Sequence, residues 1–422
     1  MPRTARLGCA PSLSALPSGA GPGPVALAEV DLSAAGPSPT GIDELDRVLG
    51  GGLVPGSVTL LGGEPGVGKS TLLLQVLRAA ARRGARALLV CAEESPRQVR
   101  LRAERIGAMP ETLFLLADTD VGAVPAAVGD VGATLVVVDS VQAVHDGSVA
   151  GPAGSVAQVR ASAEALGAMA KATEVPVVLV GHVTKDGTLA GPRLLEHMVD
   201  TVLTVEGDRH HTLRSVRAVK HRFGPVGELG LFEMGDGGLA SVPDPYRLLL
   251  GDRRPGQPGS TVLTAVEGRR PLLVEVQALV VDSTAGTYGP RRQAQGVDSG
   301  RLSMLLAVLE RRAGLHLGRS DVFASVVGGI RLSEPAADLA VVVALASAAH
   351  QRPAAPDLVV FGEVGLGGEV RRVPDAPRRL AEAARLGFRR ALVPAGSGDA
   401  PPGMELVAIT DVGQVLSRAL AA

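Results

Sequence analysis

Residues 63 to 71 read GEPGVGKST, with an apolar stretch, SVTLLGG, running into them and a helical run of Leu and Ala, STLLLQVLRAAARR, running out. The segment satisfies G-x-x-x-x-G-K-[ST] through Gly63, Gly68, Lys69 and Ser70, in the strand-to-helix setting that a phosphate-binding loop requires. Gly66 and Gly68 let the backbone wrap closely round phosphate oxygens, whose charge is met by amide N–H groups at the start of the following helix. Glu64, Pro65, Val67 and Thr71 complete the expected nucleotide contact. Lys69 is expected to reach the β and γ phosphates and the Ser70 hydroxyl to hold Mg²⁺.

The residues around this loop extend the pattern. From about residue 40 to 240, short Val/Leu/Ala strands alternate with helical stretches, which predicts a mostly parallel sheet covered on both faces. The expected strands are SVTLLGG, RALLVCAE, TLFLLA, TLVVVDS and VPVVLVGH, and SPRQVRLRAERIG reads as a helix capped by Ser95 with Pro96 at its first position. The segment from about 243 to 260 has the Pro and Gly density of a linker, and a second α/β or α+β domain is expected over 261–422. The ATP-binding part is then 36–242, preceded by a flexible Ala/Pro/Gly/Ser leader over 1–35 that lacks the apolar core of a signal peptide.

Hydrolysis needs more than a loop, because a carboxylate must serve the metal and another group must position water. TLVVVDS ends its apolar run at Asp139, the pattern of a buried strand delivering one acid to Mg²⁺ at its carboxyl end. CAEES places Glu93 and Glu94 at another strand end, the edge where ligands sit in open α/β sheets, and Glu93 is the favoured group to polarise the attacking water. His182 and Thr184, after VPVVLVG, are positioned to sense the γ-phosphate; a purely structural role for that histidine is the competing reading.

Charge directs attention elsewhere. Acidic and basic residues nearly cancel, 43 against 42, so nucleic-acid contact would have to come from local clusters. With 2% aromatic residues and no Trp, base stacking is a poor basis for binding single strands, and phosphate contacts would carry it. The two cysteines, Cys9 and Cys91, suit a reducing cytoplasm and form neither a disulfide framework nor a four-cysteine zinc site. The longest apolar run, LAVVVALASAA, is too short to cross a bilayer as a helix.

The densest basic stretch is RHHTLRSVRAVKHRFG, ending at Gly224. Read as a regular strand, it places Arg214, Lys220 and Arg222 on one face and His221 on the other. Three uses fit such a strip. Lys220 and Arg222 could complete a neighbouring subunit's γ-phosphate site, the cations could guard an edge strand, or the strip could lie on DNA phosphates.

Taken together, GGEPGVGKSTLLLQ, CAEES, VVVDSVQ, AGSVAQVR, GHVTKDGTLAGPRLLEHMVDTVLTVEGD and KHRFG resemble the bacterial RadA (Sms) DNA repair and recombination family over about residues 40 to 420. The resemblance implies a RecA-like ATPase core joined to a Lon-protease-like domain, assembled as a homohexameric ring that drives branch migration on single-stranded or branched DNA, alongside a RecA-type recombinase. The family's K-N-R-F-G motif falls on Lys220, Arg222, Phe223 and Gly224, with His221 in place of Asn. By similarity to ring helicases, Lys220 and Arg222 would act across the subunit boundary.

Two departures accompany the resemblance. The family begins with a four-cysteine zinc finger, which Cys9 alone cannot build, so no zinc is expected. In the second domain, EPAADLAVVVALA and FGEVGLGGEVRRVPDAPRRLAEAARLGF are similar to the proteolytic segments of Lon, but Ala336 of the first stands at the nucleophile's position and Pro377 of the second where the lysine belongs. Without hydroxyl or amine there is no acyl-enzyme route. An inactive scaffold is expected instead, with Arg291 and Arg292 of GPRRQ, together with Arg214 and Arg217, as candidate DNA contacts. A nucleotide-switched assembly module without motor action is the competing function.

Overall fold

Near-continuous apolar runs make strands that are buried on both faces, and the first half of the chain is built from them. The computed structural model describes residues 26, 28, 36–181, 194–207, 212–283 and 289–420. Within Pro37–Ala422, which forms a single unit, α1 (Asp43–Val48) precedes β1 (Val58–Gly63), α2 (Lys69–Arg82), β2 (Ala87–Cys91), α3 (Pro96–Arg105), β3 (Leu113–Leu116) and α4 (Val124–Val131). There follow β4 (Leu135–Asp139), α5 (Val156–Thr173), β5 (Val177–Val180), α6 (Leu194–Met198), β6 (Thr201–Glu206), β7 (Leu213–His221), β8 (Leu229–Gly235) and β9 (Gly238–Ser241). The nine strands form one sheet in the order β3-β2-β4-β5-β1-β6-β7-β8-β9.

Alternate residues of each parallel strand feed opposite cores. Val136 and Val138 pack with α4 and α5 on one face, while Val137 packs with α2 and α3 on the other. All five strands expected from the sequence form, and Ser95 caps α3 through a reciprocal pairing with Gln98. The sheet is less uniformly parallel than expected. β6 pairs parallel with β1, but β7, β8 and β9 continue it as an antiparallel meander. The Asp236–Gly237 connection between β8 and β9 is a strong hairpin signal in the sequence.

The stretch expected as a linker contains α7 (Tyr246–Leu250), whose Leu249 is buried in the second core. Beyond it lie β10 (Ser260–Glu267), β11 (Arg270–Asp282), β12 (Arg292–Gln295), α8 (Ser299–Arg312), β13 (Ser320–Val326), α9 (Asp338–His350) and β14 (Leu358–Val360). The chain closes with β15 (Glu363–Val364), β16 (Val370–Arg371), α10 (Ala376–Arg385), β17 (Arg390–Pro394), β18 (Glu405–Ile409) and α11 (Val415–Arg418). Seven of these strands make a mixed sheet ordered β12-β13-β11-β10-β14-β17-β18. The helix α9 is apolar on nearly every side and runs through the middle of this core, where such a helix must sit. Leu213, Leu229, Leu231 and Val242 of the first half join the same apolar cluster, so the two sheets share buried surface.

Candidate nucleotide site

The carboxyl ends of β1, β2, β4 and β5 lie along one edge of the sheet, since each pairs parallel with its neighbour. Ligands of open α/β sheets bind at such an edge. At the end of β1 the backbone turns through Gly63 (φ +152°), Gly66 (φ +81°) and Gly68 (φ +115°) into α2. At two of these positions glycine is also demanded by space. A Cβ on Gly63 would stand 2.6 Å from the Val205 carbonyl oxygen, and one on Gly68 would stand 2.6 Å from Met234 Cε. Glu64, Pro65 and Gly66 are exposed, Val67 is buried, and Ser70 and Thr71 in the first turn of α2 are half-buried.

Lys69 is 5% exposed, and its Nζ donates to the Gly63 carbonyl at 2.8 Å and the Glu64 carbonyl at 3.0 Å. Burial pushes its ammonium below the ordinary lysine value, opposed by the negative charge of Asp139 and Glu93. The two acids therefore face the same lysine, although β5 separates their strands from β1. Asp139 ends β4 directly opposite Cys91 of β2.

Glu93 and Glu94 part company at this point. Glu93 accepts a hydrogen bond from the Ser140 hydroxyl, beside Asp139. Glu94 instead forms an ion pair with Arg102 of α3. Ser140 and Arg102 are participants to which the sequence alone assigns no role: Ser140 lies inside VVVDSVQ beside Asp139, and Arg102 lies on α3 with no motif of its own. His182 and Thr184 lie outside the described residues.

The donor set fits a Mg²⁺-nucleotide. Gly66 has nothing within 4 Å of where a Cβ would be, leaving the loop's apex open; the Ser70 hydroxyl follows Lys69 in the first turn of α2, and the Asp139 and Glu93 carboxylates act on the Lys69 ammonium. Among the described residues, no group of three or more His, Cys, Asp or Glu side chains gathers as a metal cage. Magnesium does not need one, because water and phosphate oxygens fill much of its shell.

The basic strip is arranged differently from the regular strand expected. Register shifts between Val202 and Leu203, so that Leu203 faces Ala218 while Val202 faces Lys220, leaving Val219 as a bulge. The extra residue inverts the alternation. Arg214 and His221 lie on the α1/α2 side, where the His221 ring contacts the Leu49 carbonyl (Nε2, 3.0 Å) and the Thr201 hydroxyl (Nδ1, 3.0 Å), and Lys220 is on the other side. Lys220 Nζ donates to the Glu196 and Val199 carbonyls at 2.6 and 2.7 Å, closing the end of α6. Arg222, 59% exposed, pairs with Asp200 at 2.8 Å, and the other Asp200 oxygen accepts from the Val58 amide that starts β1.

The cations expected on DNA are mostly occupied inside the chain. Arg214 is buried and Arg217 pairs with Glu267 of β10, whose carboxyl is pushed up by burial and held back by that arginine. Arg292 donates to the Ser320 and Leu317 carbonyls. Of the four, Arg291 alone is exposed, and its backbone amide donates to Asp321 at 2.8 Å. In the turn that leads into α9, Ala336 is 1% exposed, and nearby Asp338 is taken up by Arg301 (Nε, 2.7 Å) and the Val364 amide (3.0 Å). Pro377 lies in the first turn of α10.

A loop of this shape on a parallel sheet, with acids at neighbouring strand ends, defines a P-loop ATPase with a RecA-like core. The family model described as "AAA domain" matches residues 26–188. DNA repair protein RadA of Halalkalibacterium halodurans is 46% identical over 413 residues, covering 97% of this chain and 90% of that protein. Proteins of the same name from Bacillus subtilis (45% identical, 94% of this chain, 87% of the relative) and Mycobacterium tuberculosis (50% identical, 90% and 80%) align similarly. The chain belongs to the RadA family.

Proposed function

We propose that this chain is a DNA-stimulated ATPase of recombinational repair that works as a ring on single-stranded or branched DNA to promote branch migration and strand exchange. The observation that carries the reading is the joint placement of Lys69, Asp139 and Glu93 around one open phosphate loop, with the exposed Arg222 on the same sheet. In this reading Ser70 and Asp139 hold Mg²⁺, and Glu93 orients the attacking water. Arg222 reaches a nucleotide on the neighbouring subunit, while Lys220 sets the end of α6 beside it. Residues 36–242 are the ATPase domain and 261–422 a Lon-like domain without proteolytic activity, the stretch between them joining the two. Burial of Ala336 and the commitment of Asp338 to Arg301 support a scaffold rather than a protease.

The test is steady-state ATP hydrolysis with and without single-stranded DNA at two salt concentrations. Stimulation that fades with salt is expected, because phosphate contacts release counterions. Hydrolysis indifferent to DNA would favour the competing reading, a nucleotide-gated scaffold. For the action between subunits, a Lys69→Ala chain mixed with an Arg222→Ala chain is expected to recover activity that neither has alone. Intact rings without recovery would remove it.

A further inference from the structure

Arg214 stands at the second position of β7, yet it is only 7% exposed. Its Nε donates to the Val67 carbonyl of the phosphate loop at 3.3 Å, and its Nη1 to the Leu213 carbonyl at 2.9 Å. The Val67 side chain is anchored in the core under α2, so this residue is held from both sides while Glu64, Pro65 and Gly66 project into solvent. A planar trans peptide directs its C=O and N–H oppositely. Fixing the Val67 carbonyl therefore also fixes the direction of the Gly68 N–H, one of the amides that open α2 towards phosphate. Gly68 itself is closed in by Met234 of β8 and Leu239 of β9, which lie 2.6 and 3.2 Å from the place of its missing Cβ. Gly207 makes room for the arginine: a Cβ there would stand 2.3 Å from Arg214 Cδ and 3.0 Å from Nε. Further along the strand, the Arg217–Glu267 pair fixes β7 against β10.

We propose that Arg214 is a positioning residue for the nucleotide, orienting the Val67–Gly68 peptide of the phosphate loop from the neighbouring antiparallel meander. The proposal rests on the reading of residues 63–71 as the phosphate loop. A guanidinium that the basic strip seemed to offer to DNA instead serves ATP from behind the loop.

Four full-length variants test it: Arg214→Met, Arg214→Lys, Gly207→Ala and Lys69→Ala. Titration with Mg²⁺-ATP is expected to show affinity falling roughly tenfold in R214M, the scale of one lost charge-assisted hydrogen bond. G207A, which keeps the guanidinium but displaces it, should match that loss, and R214K should recover part of it. The turnover number should change by less than about threefold, since a contact made equally in ground and transition states alters KM alone. In nucleotide-free protein, exchange of the Gly68 amide should quicken in R214M and G207A. Melting temperature without nucleotide reports folding, and a merely structural arginine would lower it while leaving the affinity of folded protein unchanged. Wild-type affinity and wild-type Gly68 exchange in folded R214M and G207A overturn the proposal; if R214M does not fold, G207A decides it. Wild-type ATP affinity in K69A would instead overturn the phosphate-loop reading itself.

Discussion

Glu93 and Glu94 are adjacent in sequence and chemically identical, and their partners separate them. Glu93 is bonded to Ser140 beside Asp139 and shares the field of Lys69, while Glu94 is held by Arg102 of α3. Replacing Glu93 with Gln is expected to lower the turnover number by about 10²-fold or more while ATP still binds, as removal of a group that assists proton transfer does. Glu94→Gln should leave turnover near wild type, because a partly exposed ion pair contributes little, about 1 kcal/mol or less. Single-turnover hydrolysis beside ATP titration checks both; equal losses in the two variants would mean that the pair acts as a unit. The sequence could place both acids at the right strand end, since the end of an apolar run is visible in it. Which acid acts on Lys69 depends on Ser140 and Arg102, which no periodicity links to them.

At the scale of elements, β7 shows how one residue defeats a pattern. Alternation over 213–222 predicts one face for Arg214 and Lys220, and the bulge at Val219 puts them on opposite faces. The stretch expected as a linker is likewise bound down through α7, whose Tyr246 hydroxyl donates to Glu382 of α10, with the Pro271 carbonyl 3.2 Å away as the alternative acceptor for its one proton. Tyr246→Phe is expected to cost about 1 kcal/mol of stability, the net worth of one hydrogen bond from a half-buried hydroxyl, measured by chemical denaturation. Glu382 also accepts two bonds from Arg385, which, with Tyr246, hold its carboxyl below the ordinary glutamate value. A carboxyl whose pKa is lower folded than unfolded stabilises the protein above about pH 4.3 and loses that contribution as pH falls through the folded value. Denaturation series at falling pH should therefore show wild type converging on Glu382→Gln below that window. A gap that stays constant with pH would mean that the charge is not what Glu382 contributes.

The whole molecule is held across its two sheets by a buried ion pair as well as by the shared apolar cluster. Glu44 of α1, 1% exposed, accepts from Arg270 of β11 at 2.6 Å and from the Leu231 amide of β8 at 2.9 Å, while Arg270 also donates to the Val242 and Pro243 carbonyls. Removing one partner strands a buried charge, so Arg270→Met is expected to cost about 3–5 kcal/mol. It should also split one calorimetric transition into two, one for each sheet. A variant that still melts in one transition at the wild-type temperature would mean that the apolar seam alone joins the sheets. Nothing at this seam is legible beforehand: Glu44 and Arg270 are 226 residues apart and each reads as an ordinary surface charge on its own element.

The sequence by itself determined the parallel core, the phosphate loop with Lys69 and Ser70, the acid at the end of β4 and the family, because each depends on local signals: apolar runs, glycine spacing and a strand-to-helix turn. Only the tertiary structure decided which glutamate is bonded to Ser140 beside Asp139, that Arg214 is buried against the Val67 carbonyl rather than exposed, and that α7 is packed into the core. Those outcomes depend on a one-residue bulge and on side chains meeting across long sequence separations, where a buried charge must find whichever partner the fold brings to it.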